Sequence, residues 1–218
     1  MTVSPRLLTI IREATSREVL PSIKKLTEEI LARYSDAVQA ILFYGSCFRK
    51  GDDTNGIVDL YVVVDNYRHA YRRCSYAFLN KVLPPNVFYL EVPHEGSVRR
   101  AKYSIFSSSD FQRGASKRWF QPYLWSRLAQ PMGLVYARNN DSEEGVYNAM
   151  AHALLTFITR VLPAIPAHFT VRDLWCKGLA LTYGTELRAE QGDKVVDLFD
   201  AAPHHYEVIT RTAFDDLS

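Results

Sequence analysis

Two apolar runs separated by a short polar segment decide the fold: ILFYGSC at residues 41–47 and IVDLYVVVD at residues 57–65. Each run is short and rich in Ile, Val, Phe or Tyr, which favours buried β-strands. Gly45 permits close approach of the backbone to a ligand, and Ser46 offers a hydroxyl and an amide to a phosphate. Asp59 lies inside so apolar a strand that its carboxylate needs a partner, for which a divalent metal ion is the simplest choice.

Outside these runs the pattern predicts further strands and helices. Short runs rich in Val, Ile, Tyr or Phe predict strands at 38–44, 57–64, 86–92, 103–106 and 133–137. Caps, prolines and apolar periodicity predict helices from Pro21, at 67–83, from Asp141 to a stop at Pro163, and from Thr170 to Gly184. Strands mixed with helices, followed by helices alone, predict an α+β fold. The pattern changes near residue 138, so we expect domains at 1–138 and 139–218.

Composition narrows the classes of protein. The chain has 218 residues, 47% of them hydrophobic, which allows one large or two small domains and excludes a disordered chain. Its three cysteines lie far apart, so neither a disulfide framework nor a zinc site is expected. The longest apolar stretch, 149–162, contains His, Thr and Arg and is too short to cross a bilayer. With no signal or transit peptide apparent, we expect a cytoplasmic protein.

Positive charge is concentrated in the middle of the chain. Residues 97–127 contain seven basic residues and one acidic residue, although the whole chain has a net charge of only +2. Such an excess favours an anionic partner, such as a nucleotide, a lipid headgroup or a nucleic acid, but it is also typical of a solvated basic face. Aromatic residues among these cations, Trp119 and Trp125 included, suit a lipid interface, a nucleic acid or a packed core.

The order of these features resembles the nucleotidyltransferase superfamily with the DNA polymerase β-like fold. Its signature is an apolar strand, Gly-Ser, about a dozen residues, and then an acid, an apolar residue and a second acid. Gly45, Ser46 and Asp59 match this signature, whereas Tyr61 stands where the second acid is expected. The resemblance implies a mixed sheet followed by a smaller, mainly helical C-terminal domain. One form of this prediction gives that domain a winged-helix-like fold.

One branch lacks the second acid, and the chain resembles it over about residues 38–200. This branch is the mitochondrial-type phosphatidate cytidylyltransferase, the CDP-diacylglycerol synthase of the translocator-maintenance family, here as a bacterial relative. The fragments that carry the resemblance are Tyr44-Gly45-Ser46, Asp59, Asp65, Lys102-Tyr103, Trp119, Tyr123, Arg127-Leu128, Pro131, Thr182-Tyr183, Leu187-Arg188 and Gly192. Cys47 replaces a family glycine, which puts the shape of the phosphate loop and the nucleotide preference in question, because positive φ is costly for cysteine.

The resemblance implies Mg²⁺-dependent transfer of CMP from CTP to phosphatidate at a membrane surface, where the protein would lie on the inner face. Asp59 and Asp65 would hold the metal ion, since alternation places both on one strand face. Phosphate contacts would come from Tyr44, Gly45, Ser46, Lys102, Arg127 and Arg188. Asp59, Lys102 and Ser46 would act in catalysis, and Glu91 is a further metal candidate.

Several of these roles have plain structural alternatives. Asp65 suits a turn, Lys102 suits a strand edge, and Arg127 and Arg188 suit ion pairs between domains. At the level of the whole protein, two other hypotheses remain. One is nucleotidyl transfer to another phosphorylated acceptor, and the other is a binding module that has lost catalysis. Nucleic acid is the less favoured partner.

Overall fold

The computed structural model describes residues 3–16, 19–54, 56–71, 73–119, 121–184 and 192–217. These residues form two compact units. The sheet unit contains residues 15–112 and 132–146, and the helical unit contains the described residues of 1–14, 113–131 and 147–218. The units therefore divide differently from the predicted domains, 1–138 and 139–218. Residues 1–14 and 113–131 join the C-terminal helices, and a change of sequence pattern near residue 138 could not reveal this exchange.

The sheet unit contains a five-stranded mixed sheet in the order β3-β4-β2-β1-β5. Its strands are β1 (Val38–Tyr44), β2 (Ile57–Val64), β3 (Asn86–His94), β4 (Ser97–Ser107) and β5 (Gly133–Ala137). β2 and β4 run parallel, whereas the other neighbouring pairs are antiparallel. The α+β class and the mixed sheet are thus confirmed.

β3 and β4 extend further than the sequence pattern indicates. They form a hairpin in which His94 pairs with Ser97, and Glu95 and Gly96 both have positive φ. Positive φ at both central residues is the geometry of a two-residue turn that suits the twist of a hairpin. The ends of both strands next to this turn are polar, and their composition alone does not favour a strand. They join the sheet because they pair with each other across the hairpin.

The two faces of the sheet differ sharply in character. One face forms a core with Ile23, Leu26 and Ile30 of helix α2 (Pro21–Tyr34). The side chains on this face alternate along the strands, and they are Ile41, Phe43, Val58, Leu60, Val62, Val64, Ala101, Tyr103 and Ile105. Residues between them, Asp59 among these, point to the opposite face because successive strand residues alternate.

Short helices occupy the connections of the sheet unit. Helix α3 (Gly45–Lys50) follows β1 directly, and α4 (Tyr67–Ala70) and α5 (Cys74–Val82) lie between β2 and β3. The prediction of one helix over 67–83 is therefore wrong. Tyr71 is extended, with φ −111° and ψ 127°, and its hydroxyl donates to Asn80 Oδ1 at 2.5 Å. Burial of this ring overrides the helical pattern and breaks the helix in two.

Helices make up the described part of the other unit. They are α7 (Tyr123–Leu128), α9 (Val171–Gly184), α10 (Gly192–Asp200) and α11 (Pro203–Asp215), while α1 (Pro5–Thr15), α6 (Ser108–Gly114) and α8 (Asn140–Val161) contain residues of both units. Trp175 is central to its core: the ring centroids of Phe157 and Tyr206 each lie 4.4 Å from that of Trp175. No strand occurs in the described residues of this unit, so nothing there corresponds to the winged form of the prediction.

Helix α9 begins with the capping box that the sequence predicts. Thr170 N–H donates to Asp173 Oδ2 at 2.9 Å, and Asp173 N–H donates to Thr170 Oγ1 at 3.1 Å. The Thr170 hydroxyl donates to the same Oδ2 at 2.7 Å, and this hydrogen bond, together with that from the Thr170 amide, holds the pKa of Asp173 below its usual value.

Within the described ranges, no helix combines the length and the apolar character needed to span a bilayer.

We expect Thr170→Ala to lower the free energy of unfolding by about 1 kcal/mol at neutral pH, because a helix amide loses its cap. The loss should shrink as pH falls through the lowered pKa of Asp173, since a carboxylate with a depressed pKa stabilises the fold only while it is charged. Urea unfolding at several pH values measures this dependence. Thr170→Ser keeps the hydroxyl and is the control, and an equal loss in both variants would contradict the capping role.

Candidate functional site

A row of polar and aromatic side chains crosses four strands of the sheet. Tyr44 of β1 pairs with Asp59 of β2, Asp59 pairs with Lys102 of β4, and Lys102 pairs with Tyr89 of β3. Directly paired residues point to the same face, so all four side chains lie on the face opposite α2. We call this surface the Asp59 face. Lys102 Nζ lies 3.9 Å from Asp59 Oδ1, and the two side chains are 49% and 26% exposed.

Gly45 fits against Asp59 in a way that no other residue could. Its φ is +87°, a conformation that side-chain-bearing residues rarely adopt. A Cβ atom built on Gly45 would lie 2.5 Å from Asp59 Oδ2 and 3.2 Å from both Asp59 Cβ and Cγ. The turn after β1 therefore packs its bare backbone on the carboxylate of Asp59, and the two halves of the sequence signature meet at one point.

Ser46 and Cys47 take opposite directions at the start of α3. Ser46 is exposed, whereas Cys47 is buried, with Sγ 3.4 Å from the carbonyl oxygen of Ile57. Burial, together with the negative charge of Asp59, raises the pKa of the Cys47 thiol. Cys47 lies within a helix, and Gly45 carries the positive φ of this turn. The expected strain from a cysteine at this position is therefore absent.

An aromatic pair occupies the position of the missing second acid. The ring of Tyr61 stacks on that of Tyr44, with centroids 4.2 Å apart and planes 15° from parallel. Tyr61 is fully buried, and Tyr44 is nearly so. A second carboxylate at residue 61 would therefore point into packed aromatic surface. The Asp59 face accordingly offers one carboxylate at this level and a rigid apolar wall beside it.

Asp65 lies at the other end of β2, and its prediction as a metal ligand beside Asp59 is corrected. Asp65 is six positions further along the chain than Asp59, which corresponds to about 20 Å of extended strand. Asp65 Oδ2 lies 2.7 Å from His69 Nδ1, and Asp65 Oδ1 accepts from Asn66 N–H at 2.6 Å. Alternation places the two acids on one face but does not make them neighbours, so Asp65 has the turn role that was its alternative.

Glu91 also does not join Asp59. It lies on β3, with β4 between it and β2. Its Oε1 accepts from the Tyr89 hydroxyl at 2.8 Å and lies 3.3 Å from Arg100 Nε. No group of three or more His, Cys, Asp or Glu side chains suited to a metal ion is found among the described residues.

A magnesium ion fits the Asp59 face only with help from a ligand. The chemistry of the donor set decides this, because Asp59 is the one carboxylate in the row that crosses the sheet. Magnesium in nucleotide sites is often held by one or two carboxylates together with substrate phosphates and water. Asp59 suits this mode as the single protein carboxylate. Lys102 would lie beside the same phosphates and add positive charge.

Arg127 does not belong to this row of strand residues. Arg127 lies in the helical unit, where its guanidinium carbon is 4.7 Å from the ring centroid of Tyr123 and 5.6 Å from that of Tyr183. Such stacking is a favourable cation–π arrangement. Arg188 falls outside the described residues, as does Phe120. The phosphate contacts predicted for both arginines therefore remain predictions.

The basic excess of residues 97–127 is divided among separate contacts. On β4, Arg99 Nε lies 3.7 Å from Asp53 Oδ1, and Arg100 pairs with Glu91. In the helical unit the guanidinium of Arg113 lies 4.8 Å from the ring centroid of Trp119, and Trp125 is buried. Arg99 points to the α2 face, away from Lys102, because the two residues differ by three positions on one strand. The basic residues of β4 are therefore divided between the two faces of the sheet, with Arg99 on one face and Arg100 and Lys102 on the other.

A cavity of about 350 Å³ lies elsewhere in the sheet unit. Val63 of its lining is four residues from Asp59, or about 13 Å along β2. Six of its eleven lining residues have polar side chains, and they are Gln39, Ser108, Gln112, Asn139, Asp141 and Ser142. None of the predicted site residues lines it. Sequence reasoning missed this group because its members come from three distant segments that share no motif.

Comparison with known proteins assigns the chain to no family. No protein-family model matches the chain. A search of curated proteins also finds no match.

Proposed function

We propose that the protein is a magnesium-dependent nucleotidyltransferase that transfers CMP from CTP to phosphatidate. The observation that supports this most strongly is the packing of the Gly45 backbone on the Asp59 carboxylate, with Lys102 beside it. The backbone of the turn, the exposed hydroxyl of Ser46 and the carboxylate of Asp59 form one surface. A triphosphate can be held there by backbone amides, by a cation on the carboxylate and by the ammonium group of Lys102.

Each side chain has a role in this proposal. Ser46 is exposed and offers its hydroxyl to the phosphates, while the lack of a side chain on Gly45 lets the turn approach the carboxylate of Asp59. Lys102 offsets charge on the triphosphate or on the incoming phosphate. Asp59 would hold the magnesium ion, which neutralises phosphate charge when bound. The stacked rings of Tyr44 and Tyr61 form an apolar wall beside Asp59.

The reaction needs little from a general base. A phosphate oxygen of phosphatidate, already an anion, attacks the α-phosphorus of CTP. The bond from that phosphorus to the oxygen bridging to the β-phosphorus breaks, and pyrophosphate leaves. Catalysis of such a step depends mainly on alignment and on neutralised charge. The choice of CTP and phosphatidate rests on the family resemblance of the sequence, and another phosphorylated acceptor would meet the same chemistry.

One observation favours a second candidate, a nucleotide-binding module without catalysis. The row Tyr44–Asp59–Lys102–Tyr89 places an ammonium group 3.9 Å from the Asp59 carboxylate and contains no second carboxylate, and Glu91 is engaged with Arg100. A site of this kind could bind a nucleotide through Lys102 and the Gly45 turn without aligning a reaction. The two candidates differ in whether pyrophosphate is formed.

A pyrophosphate-release screen distinguishes the candidates. CTP, ATP, GTP and UTP are each incubated with the protein and Mg²⁺, with and without phosphatidate micelles and with a panel of other phosphorylated acceptors. We expect release with CTP and phosphatidate that is lost when EDTA removes the metal. Release with a different acceptor would keep the enzyme and change its substrate. Nucleotide binding in equilibrium dialysis without release under any condition would support the binding module and overturn the transferase.

A further inference from the structure

Helix α5 exposes an apolar surface that its own packing does not use. Five large apolar side chains of α5 and the residue after it are each about half exposed or more, with Phe78 at 67% and Leu83 at 74%. They are Tyr76, Phe78, Leu79, Val82 and Leu83. We call this set the α5 surface. At 100° per residue its members fall within an arc of about 160° on one side of the helix.

The buried side of α5 contains one small residue and one polar residue, and none of its large apolar residues. Ala77 and Asn80 are the buried residues of this helix. Asn80 is completely buried, accepts from the Tyr71 hydroxyl at 2.5 Å and donates to the Ile105 carbonyl oxygen at 3.2 Å. A helix normally turns its apolar stripe to the core. Here buried hydrogen bonds hold the helix in the opposite orientation, so its apolar side faces outward.

The surroundings of the α5 surface are basic. Between Asp65 and Glu91 the sequence contains no acidic residue, whereas it contains four Lys or Arg residues and one His. Arg68, Arg73 and Lys81 are exposed, and Lys81 lies on α5 itself. Exposed apolar side chains flanked by cations, with no carboxylate among them, are complementary to anionic lipid headgroups above an acyl layer.

We propose that the α5 surface docks the protein onto an anionic lipid bilayer. Phe78, Leu79, Val82 and Leu83 enter the outer part of the acyl layer, and Lys81 extends its ammonium to the headgroups. A protein partner would also bury the apolar residues, but the cations of this segment, with no acidic residue between Asp65 and Glu91, favour a surface that is both anionic and apolar. Docking is independent of catalysis, although it would bring a lipid substrate of the proposed transferase to the protein.

Vesicle co-flotation without nucleotide tests this proposal. Vesicles of phosphatidylcholine alone are compared with vesicles of equal parts phosphatidylcholine and phosphatidylglycerol. We expect the wild-type protein to float with the anionic vesicles and Phe78→Ser/Leu83→Ser to have about a tenfold lower partition coefficient. Lys81→Glu should weaken flotation with anionic vesicles and leave any flotation with phosphatidylcholine unchanged.

Leu181→Ser is the matched control, because Leu181 is 45% exposed on α9 and outside the α5 surface. It should float like the wild type. Failure of the wild type to float, or equal flotation of Phe78→Ser/Leu83→Ser, would overturn the proposal. So would a wild-type dimer in light scattering that this double variant separates, because the surface would then bind a second copy. Turnover of a water-soluble, short-chain phosphatidate tests the transferase separately.

Discussion

Asp59→Asn is expected to reduce CTP-dependent pyrophosphate release by about a thousandfold. Asparagine keeps the size of the side chain that packs on Gly45, but it removes the carboxylate of the row Tyr44–Asp59–Lys102–Tyr89, which would hold the cation. A bound metal ion supplies several kcal/mol of charge stabilisation in the transition state, and each 1.36 kcal/mol corresponds to a factor of ten in rate. The measurement is the initial rate of pyrophosphate release at saturating CTP and phosphatidate, with Mg²⁺ varied.

Glu91→Gln provides the matched control. Glu91 also pairs with a cation on β4, Arg100, at 3.3 Å, and its side chain is exposed. Both substitutions remove an exposed or partly exposed ion pair, which contributes little to stability. Both variants should therefore unfold close to the wild-type temperature, and only Asp59→Asn should lose turnover. Equal activity in the two variants would show that Asp59 forms a structural ion pair with Lys102 and nothing more.

The strands were predictable because their local signals agree with their tertiary setting. β1, β2 and β5 begin and end at the predicted residues. The β-branched and aromatic runs there are mostly buried in β1 and β2 and partly buried in β5. β4 is the informative exception. Its first half contains Arg99, Arg100 and Lys102, and only pairing on both sides makes a strand of it.

The site was predictable in part, for the same reason. Antiparallel pairing of two runs joined by a short connection brings the turn after the first to the start of the second, so Gly45 meets Asp59. The distance between Asp59 and Asp65 followed from strand rise and could have been derived from sequence. The partner of Asp59 could not be derived from the sequence, because it depends on the order of the strands. That order places β4 beside β2 and so brings Lys102, and not Glu91, next to the carboxylate.

Gly45→Ala is expected to damage both stability and turnover. The methyl group would lie 2.5 Å from Asp59 Oδ2, so either the turn or the carboxylate must move. The positive φ adds strain, and together these effects should lower the free energy of unfolding by about 2 to 4 kcal/mol. Displacement of Asp59 should also reduce pyrophosphate release severalfold more than it reduces the folded fraction. Urea unfolding and turnover per folded molecule measure the two effects.

Gly51→Ala separates the effect of backbone strain from that of the steric clash with Asp59. Gly51 has a φ of +65°, but a Cβ atom added there meets nothing within 4 Å. It ends the same helix, α3, that Gly45 begins. Strain alone should lower the stability of Gly51→Ala by about 1 to 2 kcal/mol and leave turnover per folded molecule unchanged. If Gly51→Ala matched Gly45→Ala in both measurements, then the contact between the turn and Asp59 would carry no function, because conformational strain alone would account for the loss.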